Sequence, residues 1–203
     1  MSEYLHYLRK HYQKSISAEE EYAKLDWEDN YSHLKRFEIL LSHINLTNKS
    51  LLDVGCGVGS LLRYLESHRV PCQYKGIDIL PEMIDIAKTL SPHGTFLQGN
   101  PFETPIFKEG EFDVVFASGI FNLCPKNSSF TLYNGVKHML VWAREYVVFN
   151  ALHERSPHKE LTYCYYNPDE VVVFLEKISP KSEIQLIDDY LINDFTIIIR
   201  TNI

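Results

Sequence analysis

Between positions 51 and 60 the chain reads Leu-Leu-Asp-Val-Gly-Cys-Gly-Val-Gly-Ser, a short apolar strand carrying an acid and running into three alternate glycines. Few backbones accept such a segment. Glycine adopts the left-handed conformations that a tight strand-to-helix turn needs, and its missing side chain lets another group approach the main chain. A helix opening there presents unpaired amides and the positive end of its dipole, so the segment predicts a strand, a ligand-cradling loop and a helix, in that order. The dinucleotide fingerprint G-x-G-x-x-G would need a third glycine at position 60, where Ser60 stands, and the Lys-Ser/Thr ending of a phosphate loop is missing. Dinucleotide and triphosphate cradles are disfavoured.

From Leu51 onward, short apolar runs alternate with helical segments, as in a parallel sheet covered on both faces. The pattern predicts strands at 51–55, 73–78, 94–98, 112–118 and 145–151, with helices at 60–68, 81–90, 128–143 and 168–178. Pro81 and Pro168 suit first helical turns, and Asn167 is placed to cap the second of these helices. Segments 183–191 and 195–201 are separated only by Ile192-Asn193-Asp194, too short for a parallel crossover, so they form an antiparallel hairpin. Ahead of the glycines, Tyr4, Leu5, Leu8 and Tyr12 share a helical face, as do Leu34, Phe37, Leu41 and Ile44. Ser17-Ala18-Glu19-Glu20 has the S-x-x-E form of a capping box, which starts a second helix there. The expectation is a helical segment over 1–46 and a core over 47–203, within a single domain.

The chain has 203 residues, 45% of them apolar, enough to bury one core. Its net charge of −7 is the wrong sign for tracking a phosphate backbone, so nucleic acid is not favoured as a partner. The four cysteines, Cys56, Cys72, Cys124 and Cys164, form no C-x-x-C pair and no zinc-like spacing with histidine. They read as free thiols in a reducing compartment, and no metal is expected. The first residues lack a signal-peptide core, and no apolar run is long enough to span a bilayer, so the expected location is cytoplasmic.

A second acid, Asp78, ends the predicted strand Lys75-Gly76-Ile77-Asp78, 23 residues after Gly55. A carboxylate there can accept hydrogen bonds from both hydroxyls of a ribose. Asp53, Gly55, Gly57 and Gly59 match D/E-x-G-x-G-x-G without a mismatch, and with Asp78 and the strand Phe112-Asp113-Val114-Val115 they resemble the class I S-adenosylmethionine-dependent methyltransferases. That resemblance implies a Rossmann-like α/β fold with a mostly parallel seven-stranded sheet, a C-terminal antiparallel hairpin and an N-terminal helical lid. It implies S-adenosylmethionine as cofactor. The loop Gly55, Cys56, Gly57 and Gly59 would cradle its amino acid and ribose parts, Asp53 would face its ammonium group, and Asp78 its ribose. Ile79 and Met83 would pack on the adenine, although both suit a core equally well. Asn100, Pro101 and Phe102 would border the adenine, with Asn100 replacing a frequent Asp; Gly99-Asn100-Pro101 is also ordinary turn chemistry. Ser118 and Gly119 would flank the reacting centre.

Methyl transfer from a sulfonium needs chiefly alignment, so in-line displacement requires neither metal nor covalent intermediate. A general base helps only some acceptors. His153 is the best-placed base, with Tyr163 and Tyr166 as possible walls for the acceptor, but an ordinary histidine accounts for position 153 as well. Trp27, Tyr31, His33 and Arg36 lie in the helical segment that such enzymes use as a lid, where Lys35 or Arg36 would meet the cofactor carboxylate. A helix simply packed on the sheet edge is the alternative. The expected partner is a small-molecule methyl acceptor, with no membrane association and a monomeric or homodimeric state. A protein or RNA methyltransferase, or a non-catalytic S-adenosylmethionine-binding regulator, remains open.

Overall fold

The computed structural model describes residues 3–103, 106–124 and 132–201. The helices are α1 (Glu3–Tyr12), α2 (Glu21–Lys24), α3 (Asn30–His43), α4 (Ser60–Ser67), α5 (Pro81–Leu90), α6 (Leu132–Trp142) and α7 (Pro168–Ile178). The strands are β1 (Ser50–Val54), β2 (Gln73–Asp78), β3 (Thr95–Gln98), β4 (Phe112–Ala117), β5 (Ala143–Leu152), β6 (Glu183–Ile187) and β7 (Asp194–Arg200). They form a seven-stranded mixed sheet of order β3-β2-β1-β4-β5-β7-β6. This is the α/β architecture that the alternating pattern predicts. The chain divides into two compact units, Met1–Pro101 and Phe102–Ile203.

In the first unit β1, β2 and β3 run parallel, with Asp53 opposite Gly76 and Asp78 opposite Gln98. Leu51, Leu52 and Ile77 are fully buried, because strands covered on both faces carry apolar side chains at successive positions. Leu61, Leu62 and Leu65 of α4 and Met83, Ile84 and Ala87 of α5 recur at helical spacing and are buried. Asp29 caps α3 by accepting a 2.7 Å hydrogen bond from the Ser32 amide. The S-x-x-E pattern at Ser17 does not start a helix. Residues 13–17 form turns, α2 begins at Glu21, and its N-cap Glu20 makes no side-chain capping bond. Capping by spacing alone is overridden here by the tertiary demands on Glu21, described below.

In the second unit β4 and β5 are parallel, while β7 pairs antiparallel with both β5 and β6. Asn167 caps α7, its side chain accepting from the Asp169 and Glu170 amides at 2.9 and 3.2 Å. The expected start of the helix over 128–143 lies outside the described residues; its end, at Trp142, runs into β5 without a loop. The hairpin connection is longer than three residues. β6 stops at Ile187 and Asp194 already belongs to β7, since the Arg155 guanidinium binds the Asp188 carboxylate at 2.9 Å and the Ile192 carbonyl at 3.1 Å. Those contacts turn residues 188–193 away from the ladder.

The reading of four free thiols is incorrect. Cys124 and Cys164 form a disulfide with a Cα–Cα separation of 5.2 Å, leaving Cys56 and Cys72 free among the described residues. Forty positions separate the pair, so no local spacing announces it. The backbone brings them together: the Cys124 amide donates to the Thr162 carbonyl at 2.9 Å and the Cys164 amide to the Asn122 carbonyl at 2.8 Å. The bridge removes the cysteines as an argument for a reducing compartment. Among the described residues, no helix is long and apolar enough to cross a membrane.

Phe149 on β5 is fully buried, with its ring 5.6 Å from that of Phe121. Phe149→Ala removes this aromatic contact and leaves a cavity, and should lower unfolding free energy by about 3–5 kcal/mol in urea titrations.

Candidate active site

The glycine loop follows β1. Gly55, Gly57 and Gly59 all take positive φ, at 72°, 51° and 78°, and the Gly55 and Cys56 amides both donate to the Ile77 carbonyl, at 2.8 and 3.1 Å. Two of these glycines also make room for protein. A Cβ at Gly57 would collide with Leu25, and one at Gly59 would come within 2.9 Å of the Phe96 ring. The missing side chains therefore admit Leu25 from the N-terminal segment and Phe96 from β3.

Asp53 is buried near the end of β1 and accepts a 2.7 Å hydrogen bond from the Tyr74 hydroxyl. Burial pushes its carboxyl up to about 7; the Tyr74 hydrogen bond works against that rise and the charge of Asp78 adds to it. Asp78 ends β2 with both oxygens engaged: Oδ2 accepts from the Gly57 amide at 2.9 Å and Oδ1 from the Leu80 amide at 2.8 Å. Although part of the residue stays accessible, lost hydration raises its carboxyl to about 6, against the pull of these amides. Beyond it, Ile79 keeps accessible surface whereas Met83 is 2% exposed and belongs to the core of α5. Asn100 is half-buried and Pro101 buried after β3, where the Gly99 amide donates to the Asp78 carbonyl at 2.9 Å.

The N-terminal segment is fastened to this loop. Glu21 Oε2 accepts from the Ser60 hydroxyl at 2.8 Å and lies 2.7 Å from Arg63 Nη2, while Oε1 accepts from Arg63 Nε at 2.9 Å. This bidentate pair anchors α2 to the first turn of α4. Arg9 of α1 lies 3.1 Å from Glu82 in the first turn of α5. Arg36 is buried, stacks 3.9 Å over Trp27 and donates to the Ser32 carbonyl, while Lys35 pairs on the surface with Glu38 at 2.8 Å. His33 is 3% exposed, its ring stacked against Trp27, with neither ring nitrogen hydrogen-bonded among the described residues. Burial, then the Arg36 charge, lowers it to about 4, so it is neutral at pH 7. Tyr31 is exposed.

In the second unit, Ser118 and Gly119 follow β4 and are held by one side chain. Asn150 Nδ2 donates to Ser118 Oγ at 2.9 Å, and the Gly119 amide donates to Asn150 Oδ1 at 3.0 Å. Phe102 packs against His138 and Trp142 of α6, with centroids 5.8 and 5.6 Å away. The Tyr166 hydroxyl donates to the Phe121 carbonyl at 3.1 Å, and Tyr163 pairs with Leu123 in an isolated bridge. His153 is buried; its Nδ1 accepts from the Arg155 amide at 3.1 Å, and Nε2 lies 3.7 Å from Asp188. Burial, then the Arg155 charge, lowers its pKa. These contacts give His153 a structural task at the hairpin.

Sequence reading missed Tyr74, Glu21, Leu25, Arg63 and Asn150. None lies in a motif, and their partners are 21 to 42 positions away, except that Arg63 sits one turn beyond Ser60.

Residues 52–132 match the family model described as a methyltransferase domain. A Mycobacterium tuberculosis protein named as a methyltransferase is 31% identical over 156 residues, covering 74% of this chain and 92% of its own length. Magnesium protoporphyrin IX methyltransferase of Synechocystis, with bound SAM, superimposes with a TM-score of 0.68 at 14% identity, covering 100% of this chain and 99% of that one. A SAM-dependent methyltransferase from Aquifex aeolicus gives 0.61 at 19% identity, covering 86% and 95%. The chain belongs to the class I S-adenosylmethionine-dependent methyltransferases. It is a methyl-transferring enzyme, and S-adenosylmethionine is its methyl donor.

The buried carboxyls carry a pH signature. Asp53 and Asp78 have an ordinary value of 3.8 and folded values of about 7 and about 6, so the folded chain holds protons that the unfolded chain releases first. Their contribution to stability is present at acid pH and lost as pH rises through the folded values. His33 acts oppositely, costing stability as pH falls from its ordinary 6.5 towards 4. For Asp53→Asn, the stability difference from wild type should move in the variant's favour between pH 5 and 8 in thermal melts without cofactor. A pH-independent difference would show an ordinary carboxyl.

Proposed function

We propose that the enzyme methylates a small-molecule acceptor, holding the donor on the glycine loop and the two acids of the first unit. The observation that carries the donor site is Asp53: a buried carboxyl pushed up to about 7 fits a cationic ammonium group, whose charge would stabilise its ionised form. The Gly55, Cys56, Gly57 and Gly59 backbone would line the amino acid and ribose parts. Asp78 would accept the ribose hydroxyls with the acceptor capacity that the Gly57, Leu80 and Ile79 amides leave on its carboxylate. Ile79, Asn100 and Pro101 would border the adenine, with Met83 as backing and Phe102 in the role the resemblance gives it. Ser118 and Gly119 keep their assignment to the reacting centre, supported by the Asn150 clamp that fixes their turn.

When bound, the cofactor supplies a methyl group already activated on its sulfonium. The protein's task is then to orient and to exclude water; His153 Nδ1 is engaged by the Arg155 amide, and no base is assigned. Residues 1–46 would act as a lid in a chain that is otherwise one catalytic domain, supported by Leu25 against Gly57 and Glu21 on Ser60 and Arg63. The negative net charge supports a small acceptor over nucleic acid, and the Synechocystis neighbour is itself named for a small molecule.

Calorimetry with S-adenosylmethionine, S-adenosylhomocysteine and NAD should show binding of the first two alone. Asp78→Ala should weaken both by about tenfold to a hundredfold, the worth of lost hydrogen bonds to a charged group; unchanged affinity would remove Asp78 from the site. Glu21→Gln should speed cofactor dissociation several-fold in stopped-flow displacement, and an unchanged rate would reduce the N-terminal segment to packing. A stoichiometric, salt-sensitive complex with RNA would overturn the small-molecule reading.

A further inference from the structure

We propose that Tyr74 is a positioning residue of the methyl-donor site: its buried hydroxyl donates to Asp53, holding that carboxylate charged and oriented at the head of the glycine loop. The inference rests on the assignment of Asp53 to the cofactor. Its geometry begins in the β1–β2 pairing, where Tyr74 lies opposite Leu51 and Gly76 opposite Asp53. Tyr74 and Gly76 are two positions apart and share a sheet face, so the tyrosine must pass position 76 to reach Asp53. Glycine leaves that path open. A Cβ at Gly76 would stand 2.9 Å from the Tyr74 hydroxyl and 2.8 Å from the Cys56 sulfur. The hydroxyl arrives at Asp53 Oδ2 at 2.7 Å, with both residues buried.

An O–H to carboxylate bond of this length favours the ionised acid, and in a dry setting it is among the stronger contacts that one side chain can make. Two charges and a thiol complete the surroundings. Asp78, at the end of β2, opposes ionisation of Asp53; the Cys56 thiol, held neutral by burial, adds no charge; and Arg63 on α4 acts on Tyr74. Tyr74 is itself held protonated by burial and by the neighbouring Asp53 charge, so it remains a donor across the working range. Without the hydroxyl, burial and Asp78 act on Asp53 unopposed. The carboxyl then protonates at higher pH and loses its attraction for a cationic amino group.

The test is cofactor affinity from pH 5.5 to 9 by calorimetry for wild type, Tyr74→Phe and Asp53→Asn, with S-adenosylhomocysteine as ligand and thermal melts to confirm folding. The ratio of wild-type to Asp53→Asn affinity cancels the ligand's own titration. That ratio should rise with pH through neutrality, and in a Tyr74→Phe background the rise should move up by about one pH unit, the worth of one such hydrogen bond. A flat wild-type ratio would remove Asp53 from the site and the proposal with it. A clear wild-type rise that stays in place in Tyr74→Phe, with affinity lowered uniformly or not at all, would leave Asp53 standing and overturn the role of Tyr74. Carbon-13 NMR of the wild-type chain gives a second readout that needs no variant. The Tyr74 Cζ and Asp53 carboxyl resonances should titrate together, and independent titration would equally overturn the proposal.

Discussion

The first unit depends on one carboxylate. Asp78 accepts from the Gly57 amide and the Leu80 amide with its two oxygens, while its own carbonyl accepts from Gly99. One residue thus ties the glycine loop, the entry to α5 and the exit of β3. Backbone amides at turns such as those of Gly57 and Leu80 lie outside helix and ladder pairing, so a carboxylate that accepts from both fixes two turns of the chain at once. The residue proposed to meet the ribose thus also holds the glycine loop in shape.

The glycines extend the same economy. At Gly57 the vacant space admits Leu25, at Gly59 the Phe96 ring, and at Gly76 the Tyr74 hydroxyl and the Cys56 sulfur. Each missing Cβ lets a distant segment close on the loop, and positive φ at Gly57 and Gly59 makes any other residue strained as well as oversized. Glu21 adds a polar fastening to α4 through Ser60 and Arg63, which explains why α2 is placed by its partner and not by the capping pattern four residues earlier.

Beyond β4 the second unit shows the converse, a loop shaped almost wholly by remote partners. Asn150 holds Ser118 and Gly119, the Cys124–Cys164 bridge and two backbone bonds pin the next residues, and Tyr166 reaches the Phe121 carbonyl. No residue between 118 and 124 foretells these contacts, because a single amide side chain or thiol has no periodic signature.

The sequence by itself determined the order of strands and helices, the antiparallel C-terminal hairpin, the loop of alternate glycines and the position of both acids. These rest on local physics: burial periodicity, glycine φ, and connections too short for a crossover. Tertiary structure alone decided that Leu25 and Phe96 fill the glycine gaps, that Tyr74 reaches Asp53 across Gly76, that His153 serves the hairpin, and that two of four cysteines are joined. Each of these is a contact between positions far apart in the chain, made only when the folded backbone brings them within bonding distance. The acidity of Asp53 belongs with them, since it is set by lost water and by neighbours that the linear chain does not contain.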